Sequence, residues 1–539
     1  MSGLVRMRGG LFSMSALALA AGLLVSPAQA QTGTPSLSGY TQAIAVAASD
    51  DAALAAFYAA RAYAPLWTSE ADAERREALF RALDGAAAHG LPQRAYDPDG
   101  LRAEFAAVKS ERQRAQLDVA VSKAFLRYAH DLSSGAIDPK SVDAGIVREV
   151  VQRDPAELLA GIAGANPGLF LRDLAPQAPQ YARLLKAKLD LEAQIVRGGW
   201  GPTVPGAKLQ PGDTGPRVIA LRERLRAMGY LGRSASASYD DAIQKAVQQY
   251  QFDLGMQADG VAGDATLTEL NRAPEERMKN ILAALERLRW MNGTDLGQRH
   301  IWVNIPDFTV RIIDHGKTAF ESVTVVGQNQ SDRRTPEFSD EMDRMVINPS
   351  WHVPRSIVVK EYLPMMQRNA GAAGHIQLVD ARGRTVSRGA VDFSQYNARN
   401  FPFAMRQAPS TSNALGQVKF LFPNKYNIYL HDTPSKSLFQ RDVRAFSHGC
   451  VRVGRPFDLA YALLGMQSTT PKDDFHRFLN TGQETTVMLE HPLPVHLVYY
   501  TAWPTARGHV EYRRDVYGRD AALFAALERA GVDLPRLSH

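Results

Sequence analysis

Cys450 is the only cysteine in a chain of 539 residues. A disulfide needs a second thiol and a structural zinc site needs several, so neither use accounts for Cys450 within the monomer. An ordinary thiol has a pKa near ~8.5, and a neighbouring histidine that takes its proton makes it reactive. His431, nineteen positions earlier, is the candidate base. This pair indicates a cysteine nucleophile.

The segments around these two residues predict how they meet. Before His431 the chain alternates as a strand does, so Tyr429 and His431 fall on one face and the apolar residues on the other. Residues 433–435 then break the strand, and the chain returns through residues 447–449 towards the cysteine. We expect this return to bring the thiol and the imidazole together.

A glycine directly before the nucleophile permits a tight turn. We expect the backbone N–H groups of Gly449 and Cys450 to point at a developing oxyanion.

Other interpretations of the same residues stay open. A lone cysteine is often a small buried hydrophobe, and His448, Tyr429 and Trp351 can each be ordinary packed side chains. A zinc site is a further alternative, although the spacing of its candidate ligands matches no standard metal signature. Those ligands are His431, Asp432, His448 and Cys450.

The run Ser447-His448-Gly449-Cys450, preceded by a histidine and a spacer, resembles the signature of the YkuD-type L,D-transpeptidases. The motifs at 431–434, 438–439 and 450–453 are most similar to the large, multidomain periplasmic branch of that family. The resemblance implies that Cys450 is the acyl-accepting nucleophile, His431 its general base and Gly449 part of the oxyanion hole. It also implies substrate-binding or supporting roles for Tyr429, His448, Ser447, Arg452 and Trp351.

Two positions depart from the pattern of many relatives. Arg452 stands where they carry asparagine, and Asp432 stands where they carry serine. Adjacent strand residues face opposite ways, so the Asp432 side chain is not expected to orient His431.

The amino terminus predicts export. Arg6 and Arg8 precede an apolar stretch from about residue 11 to 25, and a small-x-small cleavage site ends at Ala30. Residues 1–30 are therefore a predicted secretory signal, cleaved or retained as an inner-membrane anchor, which places the protein in the periplasm. Removing the two arginines lowers the formal charge from +6 to +4, so composition does not favour a nucleic-acid partner.

Periodicity and turn signals divide the rest of the chain. Residues 41–197 are helical and alanine-rich, and we predict a scaffold domain there. Residues 208–272 resemble a three-helix peptidoglycan-binding type 1 module, with an unrelated helical bundle as the alternative. Residues 299–490 alternate as strands do and form the predicted catalytic domain, and residues 491–539 are a C-terminal extension expected to pack on it.

The predicted fold class is multidomain α plus β, in which a helical scaffold and a three-helix bundle precede a mainly β, sandwich-like catalytic domain. An insertion at about 355–415 is expected to cap the active site, with an ordinary surface loop as the alternative.

The resemblance implies a transferase that forms 3→3 cross-links in peptidoglycan through a cysteine thioester, with consequences for cell-wall organisation and cell shape. Its partners would be stem peptides, a donor tetrapeptide and an acceptor amine, together with wall-synthesis proteins. No cofactor or metal is implied, and carbapenems are expected to acylate Cys450. The alternatives are an L,D-carboxypeptidase that uses water as acceptor and a non-catalytic wall-binding structural protein. The acceptor amine and the oligomeric state stay open.

Overall fold

The computed structural model describes residues 39–506 and 508–535. The predicted signal segment, 1–30, lies outside these residues. Within the described ranges, no helix is both long and apolar enough to cross a membrane.

The amino-terminal part is helical, as its alanine-rich, non-alternating sequence predicts. Its helices pack around one apolar core that includes Trp67 and Phe125. Asp51 and Ser110 cap α2 and α5 by accepting hydrogen bonds from the first free backbone N–H groups. The helices are α1 Gly39–Ala47, α2 Ala52–Ala60, α3 Ala73–Asp84, α4 Pro98–Ala107, α5 Glu111–Ser134, α6 Pro139–Val142, α7 Pro155–Ile162, α8 Pro167–Asp173 and α9 Pro179–Val196.

A small three-helix unit follows the glycine- and proline-rich segment 198–215. It contains α10 Pro216–Ala227, α11 Asp241–Asp253 and α12 Asp264–Leu270, which share a separate apolar core. The helix α13, Pro274–Trp290, then leads to the sheet and packs against α9 and the C-terminal segment.

The predicted catalytic domain is built on a nine-stranded sheet in the order β11-β3-β12-β10-β9-β4-β13-β1-β2. An additional pairing of β2 with β3 closes the strands into a ring around a buried apolar core. The mainly β prediction is thus confirmed. The strands of this sheet are β1 Arg299–Asn304, β2 Thr309–Asp314, β3 Lys317–Gly327, β4 Phe338–Ile347, β9 Val418–Leu421, β10 Leu430–His431, β11 Ala445–Ser447, β12 Val451–Val453 and β13 Thr485–Val498. Two helices, α16 Pro456–Leu464 and α17 Pro471–Leu479, follow β12.

The insertion between β4 and β9 has its own four-stranded sheet and its own apolar core. Its strands are β5 Trp351–His352, β6 Gln377–Val379, β7 Thr385–Val386 and β8 Ala404–Gln407. The short helices α14 Arg355–Ile357 and α15 Leu363–Arg368 flank a π-helical turn, Val358–Tyr362.

The C-terminal segment contacts both the nine-stranded sheet and the helix α13. β13 runs through the predicted boundary at residue 490, because its first part pairs with β4 and its last part pairs with both β4 and β1. Beyond it, β14 Ala502–Pro504 pairs with β15 Val510–Tyr512, and α18 Arg519–Ala530 packs on α13. The extension therefore contacts α13 as well as the sheet.

Candidate active site

Two short parallel strands place the predicted catalytic residues on one face of the sheet. β10 pairs with β12, with Leu430 opposite Val451 and His431 opposite Arg452. Leu430 and Val451 are buried in the core. Because side chains alternate along a strand, His431 and Arg452 project from the other face, towards which Cys450 is also directed.

The thiol of Cys450 is partly accessible but densely surrounded. Its Sγ donates a hydrogen bond to the carbonyl oxygen of Asn427 at 3.4 Å. Burial raises the pKa of Cys450 to about 11, although the backbone N–H and the hydroxyl of Tyr429 favour the thiolate. Cys450 is therefore a neutral thiol at physiological pH.

The imidazole of His431 is buried and neutral. Its Nδ1 donates to the backbone carbonyl oxygen of Asp432. Burial, together with the positive charges of Arg452 and Lys419, lowers the pKa of His431 to about 3. A neutral imidazole is the form that can accept a proton.

The prediction that thiol and imidazole come together is met only at the level of the strands. His431 ends β10 and Cys450 directly precedes its neighbour β12, but no hydrogen bond joins Sγ to the ring among the described residues. Sγ contacts Asn427 instead, and the carbonyl oxygens of Asp432 and Leu415 both lie within hydrogen-bonding reach of the imidazole.

The turn before the cysteine differs in one respect from its prediction. Gly449 has φ of +116°, a value suited to glycine. Its N–H donates to Ser447 Oγ at 3.1 Å, and that hydroxyl donates to the Cys450 carbonyl oxygen. The N–H of Gly449 is thus used inside the turn and does not point at an oxyanion. The N–H of Cys450 has no acceptor among residues 39–506 and 508–535, so it is the available donor.

Of the other predicted residues, Tyr429 lies beside the thiol, whereas His448 and Trp351 contact the insertion. Tyr429 is adjacent, with its ring 5.7 Å from that of His431. The Nε of Arg452 is buried without a hydrogen-bond partner in the described chain. His448 turns away, since its Nε2 contacts Glu361 of the insertion at 2.6 Å. Trp351 belongs to the insertion core, where it packs on Tyr362.

Several functional atoms were missed by sequence reasoning. The carbonyl of Asp432 orients His431, whereas its carboxylate accepts from Gln417 N–H and binds Lys436. Every residue has a backbone carbonyl, so the residue type at a position does not reveal that its carbonyl orients a histidine. Asn427 has φ of +55°, and only its type, which tolerates that conformation, hinted at a turn.

Polar and charged side chains join the insertion to His448 and to the segment after β3. Glu361 accepts hydrogen bonds from Arg333 at 2.6 Å and faces His448, while Lys360 pairs with Asp332 at 2.5 Å. The insertion therefore lies beside the turn that carries Cys450.

The candidate zinc ligands are not gathered around one point. Within the described ranges, no group of three or more histidine, cysteine, aspartate or glutamate side chains is placed to hold a metal ion. Two of the four candidate ligands bind other side chains instead: His448 contacts Glu361, and Asp432 binds Lys436.

Comparison with known families and proteins matches three parts of the chain. Residues 52–187 match a scaffold domain family, residues 214–270 a peptidoglycan-binding domain family, and residues 298–467 the L,D-transpeptidase catalytic domain family. Cys450 and His431 both lie in the third range.

A Haemophilus influenzae protein named as an L,D-transpeptidase is 34% identical over 222 residues, which are 41% of this chain and 44% of that protein. The match thus spans less than half of the relative. Two solved L,D-transpeptidase structures are each 15% identical and align with 55% of this chain. The one from Xylanimonas cellulosilytica is covered to 100% with a TM-score of 0.17, and the one from Stackebrandtia nassauensis to 97% with a TM-score of 0.21.

Residues 298–467, with their paired short strands and single thiol, therefore match the L,D-transpeptidase catalytic domain family, in a chain whose other segments match a scaffold domain family and a peptidoglycan-binding domain family.

Proposed function

We propose that this protein is an L,D-transpeptidase that forms 3→3 cross-links in peptidoglycan through a thioester on Cys450. The observation that supports this most is the placement of His431 on β10 and of Cys450 directly before β12, the parallel neighbour of β10, inside the range that matches the catalytic family. The peptidoglycan-binding domain supports the same class of substrate.

In the first stage, Cys450 Sγ attacks the carbonyl carbon of the L-centre of diaminopimelate in a donor tetrapeptide. Sγ leaves the Asn427 carbonyl by rotation about the Cα–Cβ bond, and neutral His431 accepts the thiol proton. The C–S bond forms, the C–N bond to the terminal D-alanine breaks, and His431 returns the proton to the departing amine. A thioester remains.

In the second stage, the amine of another stem peptide attacks the thioester. His431 takes a proton from that amine and returns it to sulfur, so the new amide forms and the thiol is restored. The insertion beside the turn would hold the stem and limit access of water to the thioester. No cofactor enters this sequence of steps.

The N–H of Cys450 would stabilise the negative charge on the carbonyl oxygen during both stages. Burial, with a smaller contribution from the charges of Arg452 and Lys419, keeps the His431 ring neutral until the thiol proton arrives. Tyr429, with its hydroxyl next to Sγ, would favour the developing thiolate.

We also propose that residues 1–30 export the protein to the periplasm, where the wall substrate lies. Wall-synthesis proteins are proposed partners there.

The test is an assay with purified tetrapeptide muropeptides, with and without an acceptor stem. We expect a 3→3 cross-linked dimer from wild type, and product at least about 100-fold lower for Cys450→Ala and His431→Ala. His491→Ala is the matched control, because that histidine is exposed on β13 and should not affect turnover. A tripeptide product with no dimer would instead establish an L,D-carboxypeptidase. Unchanged turnover in Cys450→Ala would refute the mechanism.

A further inference from the structure

The peptide bond between Gly449 and Cys450 is held from its carbonyl side. The hydroxyl of Thr335 donates a hydrogen bond to the Gly449 carbonyl oxygen at 2.7 Å. A trans peptide is planar, so its C=O and N–H point in opposite directions. Fixing the Gly449 carbonyl therefore fixes the direction of the Cys450 N–H, the donor left available for an oxyanion.

Thr335 is buried and takes part in three hydrogen bonds, to Gly449, Gly327 and Tyr517. It is fully buried, its Oγ1 accepts from the Gly327 N–H at 2.9 Å, and its N–H donates to the hydroxyl of Tyr517 at 3.2 Å. Because the hydroxyl already accepts from Gly327, its hydrogen is free to go to Gly449. The position of Thr335 therefore sets that of the turn.

Tyr517 comes from the C-terminal extension, fifty residues beyond the end of the matched catalytic family range. Its hydroxyl donates to the Gly327 carbonyl oxygen at 2.6 Å and accepts from Thr335, so it joins the end of β3 to the segment before β4. The Arg334 and Arg519 guanidinium groups lie over its ring, 5.7 and 5.1 Å from the centroid.

The surrounding backbone leaves little room for these groups to shift. A Cβ at Gly327 would lie 1.9 Å from the Arg333 carbonyl oxygen, and one at Gly449 would lie 3.7 Å from the same atom. The segment 333–335 is thus packed between the end of β3 and the turn before the nucleophile. A displacement of this segment would move the Gly449–Cys450 peptide with it.

We propose that Tyr517 is a positioning residue for acyl transfer, which acts through Thr335 to aim the Cys450 N–H at the oxyanion. The inference rests on the proposed function of Cys450 as an acyl acceptor. It extends the active site to a segment of chain outside the catalytic family range. Loss of the Tyr517 hydroxyl removes the hydrogen bond that holds the Thr335 N–H, which loosens Thr335 and the orientation of the donor peptide.

The experiment compares two reactions of the same thiol. In the proposed mechanism a carbapenem would acylate Cys450 through a tetrahedral oxyanion, whereas iodoacetamide would alkylate it without forming one. Both are followed by intact-mass spectrometry over time. We expect Tyr517→Phe to acylate roughly 10-fold more slowly than wild type and to alkylate at nearly the wild-type rate, because a misaligned donor affects only the oxyanion.

Tyr500→Phe is the matched control. Tyr500 is also buried in the extension, and its hydroxyl has no hydrogen-bond partner in the described chain. A second pair of variants acts on Thr335: Thr335→Val should slow acylation and Thr335→Ser should restore it, since serine keeps the hydroxyl.

The outcomes separate the two proposals. Acylation of Tyr517→Phe at the rate of Tyr500→Phe overturns the positioning role, and so does an equal loss of acylation and alkylation, which indicates general disruption. A wild-type protein that is alkylated but neither acylated nor active on muropeptides overturns the proposed function instead.

Discussion

At the scale of single residues, both members of the proposed catalytic pair are uncharged at rest. Burial raises the pKa of Cys450 to about 11 and lowers that of His431 to about 3. Between these values the thiol keeps its proton and the imidazole is neutral, with its Nε2 able to accept one. In the proposed mechanism the thiolate therefore forms only when substrate arrives and the thiol turns towards the ring, and no thiolate–imidazolium pair exists beforehand.

This protonation state predicts the pH dependence of thiol alkylation. Iodoacetamide reacts with the thiolate, so the rate should rise about tenfold per pH unit from pH 7 to 9.5, without a plateau near ~8.5. His431→Gln should show the same slope, because a neutral ring adds no charge next to sulfur. Intact-mass kinetics measure both. A plateau below pH 8 in wild type would mean that an ion pair already exists.

The sequence was sufficient to identify Cys450 and His431 as candidates, because their types are rare and chemically specific. It did not identify the atoms that hold them. The carbonyl oxygens of Asn427 and Asp432 belong to the backbone, and Thr335 lies 115 residues before the cysteine, as an ordinary hydroxyl in a loop. Such contacts depend on tertiary packing and leave no local pattern.

At the scale of elements, the strand predicted to lead into His431 is shorter than its alternation suggests. Only Leu430–His431 pairs as a strand, because Asn427 takes a left-handed conformation that ends regular pairing. The predicted sidedness nevertheless holds: Ile428 and Leu430 are buried in the core, and the ring of Tyr429 lies near that of His431. Alternation thus predicts faces more reliably than the length of a strand.

The turn before Cys450 predicts a specific cost for Gly449→Ala. Alanine at φ of +116° is strained, and its Cβ would lie 3.1 Å from the buried Ile428 side chain. We expect a lower melting temperature and a loss of acylation of at least about 10-fold, since the donor peptide must shift.

Gly383→Ala is the control for Gly449→Ala. Gly383 also has positive φ, +78°, but a Cβ there meets nothing within 4 Å. This change should cost only about 1–2 kcal/mol of backbone strain and leave acylation unchanged. If the two variants acylate equally fast, the geometry of the turn before Cys450 does not limit the reaction. Thermal unfolding and intact-mass kinetics on both variants give the comparison.

At the scale of the whole molecule, a buried network of charges joins parts that the sequence divides. Arg519 of the extension binds Glu337, just before β4, at 3.1 Å, and approaches Asp143 of the scaffold at 3.4 Å. Arg287 of α13 binds Glu337 at 3.4 Å and also Asp520. The scaffold chain adds a bridge from Ile146 to Glu337. The segment that precedes β4 is therefore held by the scaffold, by α13 and by the C-terminal extension.

The sequence predicted the separate parts of the molecule but not this junction. In a chain with 22% charged residues, these arginines and carboxylates are indistinguishable from solvent-exposed ones. An ion pair is buried here only because several distant segments meet, and the residue pattern within one segment does not predict such a meeting. The helical and strand regions were predictable because periodicity is local.

The network predicts a large difference between two arginines on the same helix. Arg519→Met leaves Glu337 buried with one partner fewer, which should cost about 3–5 kcal/mol and lower the melting temperature. Arg529→Met, at an exposed position of α18, should change stability by less than about 0.5 kcal/mol. Thermal unfolding followed by circular dichroism compares them. Equal melting temperatures would mean that the scaffold, the sheet and the extension are held together by their apolar contacts, and that the buried charges add little.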